Sequence, residues 1–221
     1  MGYQWDFYFI WGYYNLFIEG VFISLGFCVV TIAIGLIIGL FCGLSLLSRH
    51  RLLSFPVRSY VEVFRCTPLL VQIIWIYYAL PVIININIPA YLAGGMALTC
   101  YISSFYAEIF RGGVISIERG QWDAARALGM TYPQLMKRII LPQAIKRMVP
   151  PFMNQSVIQL KNTSLLSILA VGDILYQGSV ITSATYRPLE VYTIVAIIYF
   201  VILYPLTILA QRLEARVATK E

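Results

Sequence analysis

Five mainly apolar runs, each long enough to cross a lipid bilayer as a helix, dominate the pattern of this chain. They fall at about 20–48, 52–80, 90–115, 150–174 and 191–211. An α-helix rises about 1.5 Å per residue, so roughly twenty apolar residues span the hydrocarbon core of a membrane. The pattern predicts an all-α polytopic membrane protein that forms one domain, 1–221, with five transmembrane helices.

The segment between the third and fourth runs, residues 118–147, differs because it is polar and strongly basic. The residues from Ala124 to Leu128 favour a helix, and Gly129 is a natural helix end. A second helix can begin at Thr131, and Pro142 interrupts it. We therefore expect two short helices joined at a glycine, on a loop that suits docking to another protein.

Composition agrees with a membrane protein, since 60% of the residues are hydrophobic and 12% are charged. The net charge of +6 would also suit a nucleic-acid-binding protein. The charges, however, fall in short clusters between the apolar runs, so no nucleic acid partner is expected. The four cysteines are scattered singly without the spacing of a metal site, so no bound metal is expected either.

The distribution of lysine and arginine predicts the orientation of the chain. Residues 1–19 and the turn at 81–89 contain neither, and the loop at 177–190 contains one, Arg187. Cytoplasmic loops of membrane proteins are enriched in both residue types. The N-terminus is therefore predicted to lie outside, and the loop at 118–147 and the C-terminus in the cytoplasm.

Lys161 lies in the middle of the fourth apolar run. Helix geometry places it about 15–20 Å from the cytoplasmic end, close to the centre of the bilayer. A buried ammonium group there is costly without an anion. Either a protein carboxylate, such as that of Glu108 or Glu62, or the carboxylate of a transported solute is expected to neutralise it.

Three charged residues in the second run, Arg58, Glu62 and Arg65, are spaced four and three apart and share one helical face. Intramembrane pairing with one another or with a neighbouring helix is one interpretation, and direct contact with substrate is the other. Pro68 follows them and lacks a backbone N–H, so the turn at this point is expected to leave a carbonyl group free.

Three glycines recur at every fourth position of the first run, namely Gly35, Gly39 and Gly43. They form a side-chain-free stripe that allows another helix to approach closely. That helix can belong to the same subunit or to a second copy.

Three motifs of this chain resemble those of a known family. Residues 123–142, DAARALGMTYPQLMKRIILP, resemble the cytoplasmic "EAA loop" of ABC importer permeases: Glu-Ala-Ala, three residues, Gly, nine residues, Ile, one residue, Leu-Pro. Residues 62–72, EVFRCTPLLVQ, and 160–167, LKNTSLLS, are similar to the polar amino acid subfamily. Two positions depart from these patterns. Asp123 stands where the family usually has Glu, and Cys66 stands where it often has Gly.

The resemblance implies the type I ABC importer permease fold in the bacterial inner membrane, with a cytoplasmic coupling helix. It implies two ATP-binding cassette ATPase subunits, an identical or different second permease subunit, an external solute-binding protein and an amino acid substrate. The expected ATPase-coupling residues are Asp123, Ala124, Ala125, Arg126, Leu128 and Gly129. The expected substrate or pathway residues are Thr67, Gln72, Ser103, Ser104, Glu108, Lys161, Asn162 and Ser164. The neutral Asn162 after the lysine indicates a neutral or acidic amino acid.

The chain has no Gly-x-x-x-x-Gly-Lys-Ser/Thr loop and no cluster of catalytic side chains. We therefore expect a transport subunit, not an enzyme, with no cofactor of its own and with ATP bound by its partner. An ion-gradient-driven secondary transporter is the alternative. It predicts internal repeats with broken helices, and no repeat is seen within the five runs. A purely structural scaffold has little reason to bury Glu62, Glu108 and Lys161.

Overall fold

The computed structural model describes residues 3–48 and 50–218, with side chains as far as residue 215. The described residues form helices and turns without a strand, in agreement with the predicted all-α fold. Arg49, Lys220 and the other residues at the C-terminus, for which the sequence predicts a cytoplasmic location, lie outside the described residues.

The first helix, α1 (Tyr14–Leu47), packs along α4 (Ala90–Ile115), the central helix of the fold. The glycine stripe faces α4 within the same subunit. A Cβ atom on Gly39 would lie 2.6 Å from the Cβ of Tyr106 and 3.1 Å from the carbonyl oxygen of Ser103. Because ordinary Cβ contacts are longer, the glycines set the distance between α1 and α4.

The second apolar run forms two helices, α2 (Arg51–Cys66) and α3 (Leu69–Ile84), which meet at an angle of 110°. Pro68 stands at the break, where it cannot donate a backbone hydrogen bond. The side-chain amide of Gln72 donates to the carbonyl oxygens of Phe64 (2.8 Å) and Thr67 (2.9 Å). The carbonyl group that the helix leaves without a backbone partner is thus present as expected, and the buried side chain of Gln72 donates a hydrogen bond to it.

Two helices pass through a proline by forming a wider π turn. In α3 this turn covers Trp75–Ala79, just before Pro81, and in α6 (Tyr132–Leu169) it covers Met136–Ile140, just before Pro142. A proline lacks the N–H and crowds the preceding turn, and a π turn relieves both effects. The predicted interruption at Pro142 is therefore wrong, because the helix continues from the loop into the membrane-spanning part.

A short helix, α5 (Arg119–Ala127), lies between α4 and α6. After α6 the chain turns by 45° into α7 (Ile174–Thr185). Asp173 caps the N-terminus of α7, because its carboxylate accepts hydrogen bonds from the backbone N–H groups of Leu175 and Tyr176. The last helix is α8 (Pro188–Ala218). The carboxylate of Glu190 in its first turn accepts hydrogen bonds from the Tyr3 hydroxyl and the Asp6 backbone.

These contacts place the two ends of the molecule relative to each other. The N-terminal residues lie at the start of α8, whereas α5 packs beside Leu47 at the end of α1. The N-terminus and the loop at 118–147 therefore lie at opposite ends of α1.

By length and composition, α1 and α8 can each cross a membrane alone, and α2 with α3 and α6 with α7 add up to two bent spans. The central helix α4 does not reach the same apolarity. Its polar residues are shielded, since side chains such as Ser103, Ser104 and Tyr106 are fully buried against other helices. A helix enclosed by protein does not need a lipid-compatible surface.

Candidate functional site

Glu108, in the cytoplasmic half of α4 by the predicted orientation, is the centre of a charged cluster. Arg111 binds it through two groups, with Nη2 2.7 Å and Nε 3.2 Å from the carboxylate. Arg65 of α2 approaches from the other side, with its Nη1 3.7 Å from Oε2 of Glu108. This ion pair ties α2 to α4, as expected for pairing with a neighbouring helix.

Of the three charged residues predicted to share one helical face, Arg58, Glu62 and Arg65, only Arg65 takes part in this ion pair. Among the described residues, neither Arg58 nor Glu62 has an oppositely charged group within 4.0 Å. Both still line a cavity of about 300 Å³ together with Arg65, Glu108 and Arg111. Three guanidinium groups and two carboxylates leave this cavity with a net positive charge.

A second cleft, of about 380 Å³, begins on the opposite side of Glu108 and Arg65. It extends to Arg147 and Pro151 on α6. Arg65 and Glu108 therefore line both cavities.

Lys161 is exposed on α6 and, among the described residues, has no carboxylate within 4.0 Å. The expected pairing with Glu108 or Glu62 is absent, because arginines hold Glu108 and the Glu62 side chain contacts Cys66. Arg147, Pro151 and Ile158 are partly exposed and precede Lys161 by fourteen, ten and three residues, respectively. At 3.6 residues per helical turn, these spacings place all four residues on one face of α6. A cationic face of this kind in a membrane helix requires a protein partner or an aqueous path instead of lipid.

Two of the other pathway candidates lie at the break between α2 and α3. The Gln72 amide also donates to the hydroxyl of Thr67 (2.8 Å), which itself donates to the carbonyl oxygen of Val63. Gln72 is buried and Thr67 is exposed. The observed contacts of Gln72 fix the bend of the backbone, and Thr67 is the member of the pair that solvent reaches.

The candidate serines differ in their surroundings. Ser103 and Ser104 are fully buried, and Ser103 hydrogen-bonds the Tyr60 hydroxyl of α2 at 2.6 Å. Ser164 donates to the carbonyl oxygen of Lys161, one turn earlier. The neighbouring Asn162 has a buried side-chain nitrogen without a hydrogen-bond partner in the structure.

Sequence analysis missed a buried glutamine that joins three helices. Gln159 of α6 donates to the Thr31 hydroxyl of α1 (2.9 Å) and to the carbonyl oxygen of Leu98 in α4 (3.2 Å). Gln155, one turn earlier, is also buried. Two glutamines four residues apart in an apolar run were the available signal, since amide groups there must find partners inside the protein.

The predicted coupling residues form the two faces of α5. Ala125 is 1% exposed and packs against Val114, Leu135 and Ile140 at the ends of α4 and α6. The remaining five are exposed, and Leu128, which directly follows α5, has the most exposed apolar side chain among them, at 79%. Those five residues are Asp123, Ala124, Arg126, Leu128 and Gly129.

Gly129 ends α5 in the left-handed region, with φ of +71°. Its backbone N–H donates to the carbonyl oxygen of Arg126 (2.9 Å), and Met130 donates to that of Ala125 (3.2 Å). This is the glycine-terminated helix end that the sequence predicts. These two hydrogen bonds close the end of α5 just before α6 begins at Tyr132.

Comparison with known proteins gives a consistent picture. The family model described as "Binding-protein-dependent transport system inner membrane component" matches residues 35–219. The chain is 36% identical over 214 residues to the glutamine transport system permease protein GlnP of Escherichia coli K12, covering 96% of this chain and 98% of that protein. It is 32% identical over 204 residues to the arginine transport system permease protein ArtQ of Bacillus subtilis 168, covering 92% and 93%.

Solved structures show the same fold. A chain from a crystal structure of an amino acid ABC transporter with histidines superposes with a TM-score of 0.91 at 38% identity, covering 97% of this chain and 100% of that one. A chain of the MetNI methionine ABC transporter in an inward-facing conformation superposes with a TM-score of 0.76 at 21% identity, covering 96% and 99%. The second match concerns the fold alone.

Proposed function

The chain belongs to the family of binding-protein-dependent transport system inner membrane components, and from this premise we propose how it imports its substrate. It is the membrane-spanning permease subunit of an ATP-driven amino acid importer, in keeping with relatives that align over almost their whole length. It is a transport component and not an enzyme, since ATP hydrolysis belongs to a separate subunit. An ATPase and a solute-binding protein are its partners.

The translocation pathway lies along the exposed polar face of α4 and α6. Arg65, Glu108, Arg147 and Lys161 line this face or the clefts that open on it. Lipid solvates such groups poorly, so a second permease subunit, identical or different, covers the face and encloses an aqueous path. The exposure of Lys161 without a carboxylate is the observation that carries this proposal.

Lys161 then binds the carboxylate of the transported amino acid near the middle of the membrane. Asn162, Ser164 and Thr67 supply polar groups around the substrate, and the Arg65–Glu108 pair lies on its way to the cytoplasm. The surplus of cations on this face favours a neutral or acidic amino acid over a cationic one, because like charges repel.

Coupling to ATP hydrolysis passes through α5. Its exposed residues dock on the ATPase, while Ala125 on the opposite side packs against the ends of α4 and α6. A displacement of α5 is therefore transmitted to the two helices that carry the pathway face. In this arrangement α5 and the C-terminus are cytoplasmic and the N-terminus is outside, as the distribution of basic residues also indicates.

The test is uptake by proteoliposomes that contain the purified permease with its ATPase. We expect labelled glutamine to accumulate when the binding protein is outside and ATP inside, and an ATPase variant without hydrolysis to abolish accumulation. Uptake driven by a proton or sodium gradient without the ATPase would overturn the proposal, since it is the property of a secondary transporter.

A further inference from the structure

The largest of the cavities described here lies apart from the pathway face. It has a volume of about 1110 Å³ and opens between the ends of α1 and α4 and the helix α5. Its floor is apolar and includes Leu44, Leu47 and Val114. Its rim is polar and includes Arg119 and Arg126.

The charges of the rim favour an anion. Arg126 forms an ion pair with Asp123, with 3.5 Å between Nη1 and Oδ1. Arg119 has no carboxylate within 4.0 Å among the described residues, so one guanidinium remains uncompensated. His50 also lines the rim and adds a further nitrogen that can donate a hydrogen bond.

The apolar floor continues as a stripe along the membrane-spanning part of α1. Leu44 belongs both to the floor and to a row with Phe41 and Ile37, spaced three and four residues apart, and all three side chains are exposed. Trp122 and Tyr132 line the rim, and aromatic side chains of this kind prefer the level of lipid headgroups. The cavity thus offers a cationic rim at one end of a stripe that suits an acyl chain.

We propose that this cavity binds an anionic phospholipid of the cytoplasmic leaflet. Arg119 holds the phosphate, and one acyl chain lies along Leu44 and Phe41 of α1. Basic pockets at the cytoplasmic ends of membrane helices are suited to anionic headgroups. A soluble phosphate uses the rim but gains nothing from the stripe, and a protein segment does not need a surface that continues into the bilayer.

The leaflet assigned to this lipid rests on the proposed orientation of the chain, whereas the binding itself does not. The site would give the coupling loop a contact with the membrane in addition to those with α4 and α6. Because Trp122, Asp123 and Arg126 of α5 all line the cavity, the lipid would reinforce the position of α5 relative to α1.

The experiment measures lipid retention by the intact permease–ATPase complex. The complex is purified in detergent, incubated with equimolar phosphatidylglycerol and phosphatidylcholine, and examined by native mass spectrometry. We expect preferential retention of phosphatidylglycerol, and a reduction of at least fivefold in the Arg119→Gln variant. Arg138→Gln is the matched control, since Arg138 is exposed on the same loop but does not line the cavity, and it should retain as much lipid as the unaltered complex.

Equal retention by the Arg119→Gln and Arg138→Gln complexes would overturn the proposal. Displacement of phosphatidylglycerol by millimolar inorganic phosphate would also overturn it, because it would show a site for free phosphate. Neither readout depends on transport, and copurification of the ATPase shows separately that each variant has folded and assembled.

Discussion

At the scale of single residues, the charged side chains of the proposed pathway face divide into two groups. Glu108 is held by a bidentate arginine and a second arginine, so its charge is compensated inside the subunit. Lys161 has no such compensation among the described residues. Removing a compensated charge should disturb the fold, whereas removing an uncompensated one should disturb what the chain binds.

Replacing Lys161 with Ala should lower the rate of amino acid uptake at least tenfold. The side chain is exposed and holds no described partner, so we expect insertion, assembly with the ATPase and thermal stability to stay unchanged. Uptake by proteoliposomes and melting of the purified complex measure the two effects. The control is Lys137→Ala, since Lys137 is an exposed lysine of the loop at 118–147. Uptake at the normal rate by the Lys161→Ala complex would remove Lys161 from the proposed pathway.

Replacing Glu108 with Gln should destabilise the subunit by about 1–3 kcal/mol, because hydrogen bonds to charged groups contribute about this much and two arginines lose their counter-ion. Glu62→Gln should cost less than half as much, since no described guanidinium lies within 4.0 Å of Glu62. Both variants are compared by thermal unfolding of the detergent-purified subunit. Equal losses would mean that the network around Glu108 contributes no special stability.

At the scale of helices, the two close contacts of α1 explain why it carries so many glycines. Gly20 allows α1 to touch the backbone of Ile174 at the start of α7, and a Cβ there would lie 2.9 Å from the Cα of Ile174. Gly35, Gly39 and Gly43 do the same against α4. The alternative of a seam between two copies is thereby replaced by packing within one subunit.

Replacing Gly39 with Ala should destabilise the α1–α4 pair by about 1–3 kcal/mol, the usual cost of overpacking. The new methyl group would meet the backbone of Ser103 and Ala107, at 3.1 and 3.2 Å, which cannot move aside as a side chain can. Gly26→Ala on the same helix meets nothing within 4 Å and should be neutral or slightly stabilising, because Ala favours a helix over Gly by up to about 1 kcal/mol. Thermal midpoints of the two variants that agree within error would contradict this role of Gly39.

At the scale of the whole molecule, hydropathy predicted the helical membrane fold, but it could not predict where the spans bend. The break at Pro68 and the turn between Leu169 and Ile174 lie inside two predicted runs, since a bent helix is as apolar as a straight one. The proline itself indicated the first of these two bends, and no residue indicated the second. The helix α6 continues through Pro142 because it forms a π turn there, and amino-acid composition does not indicate a π turn. The helix end at Gly129 was readable from the sequence, and the coupling role of the residues around it stays a prediction. The contact between Arg65 and Glu108 was not readable, because it depends on how α2 crosses α4.

The link between α5 and α6 is where the proposed coupling can be broken without altering the side chains of the proposed pathway face or those of α5 itself. Proline fixes φ near −65° and lacks an N–H, whereas Gly129 has φ of +71° and donates to Arg126. Gly129→Pro should therefore reorient α5 and lower the amino acid transported per ATP hydrolysed at least fivefold, with hydrolysis itself continuing. Gly129→Asn is the matched control, because asparagine tolerates the left-handed region and should keep the ratio near normal. Parallel measurement of phosphate release and uptake in the same proteoliposomes gives the ratio, and a normal value for Gly129→Pro would show that transport does not require the observed angle between α5 and α6.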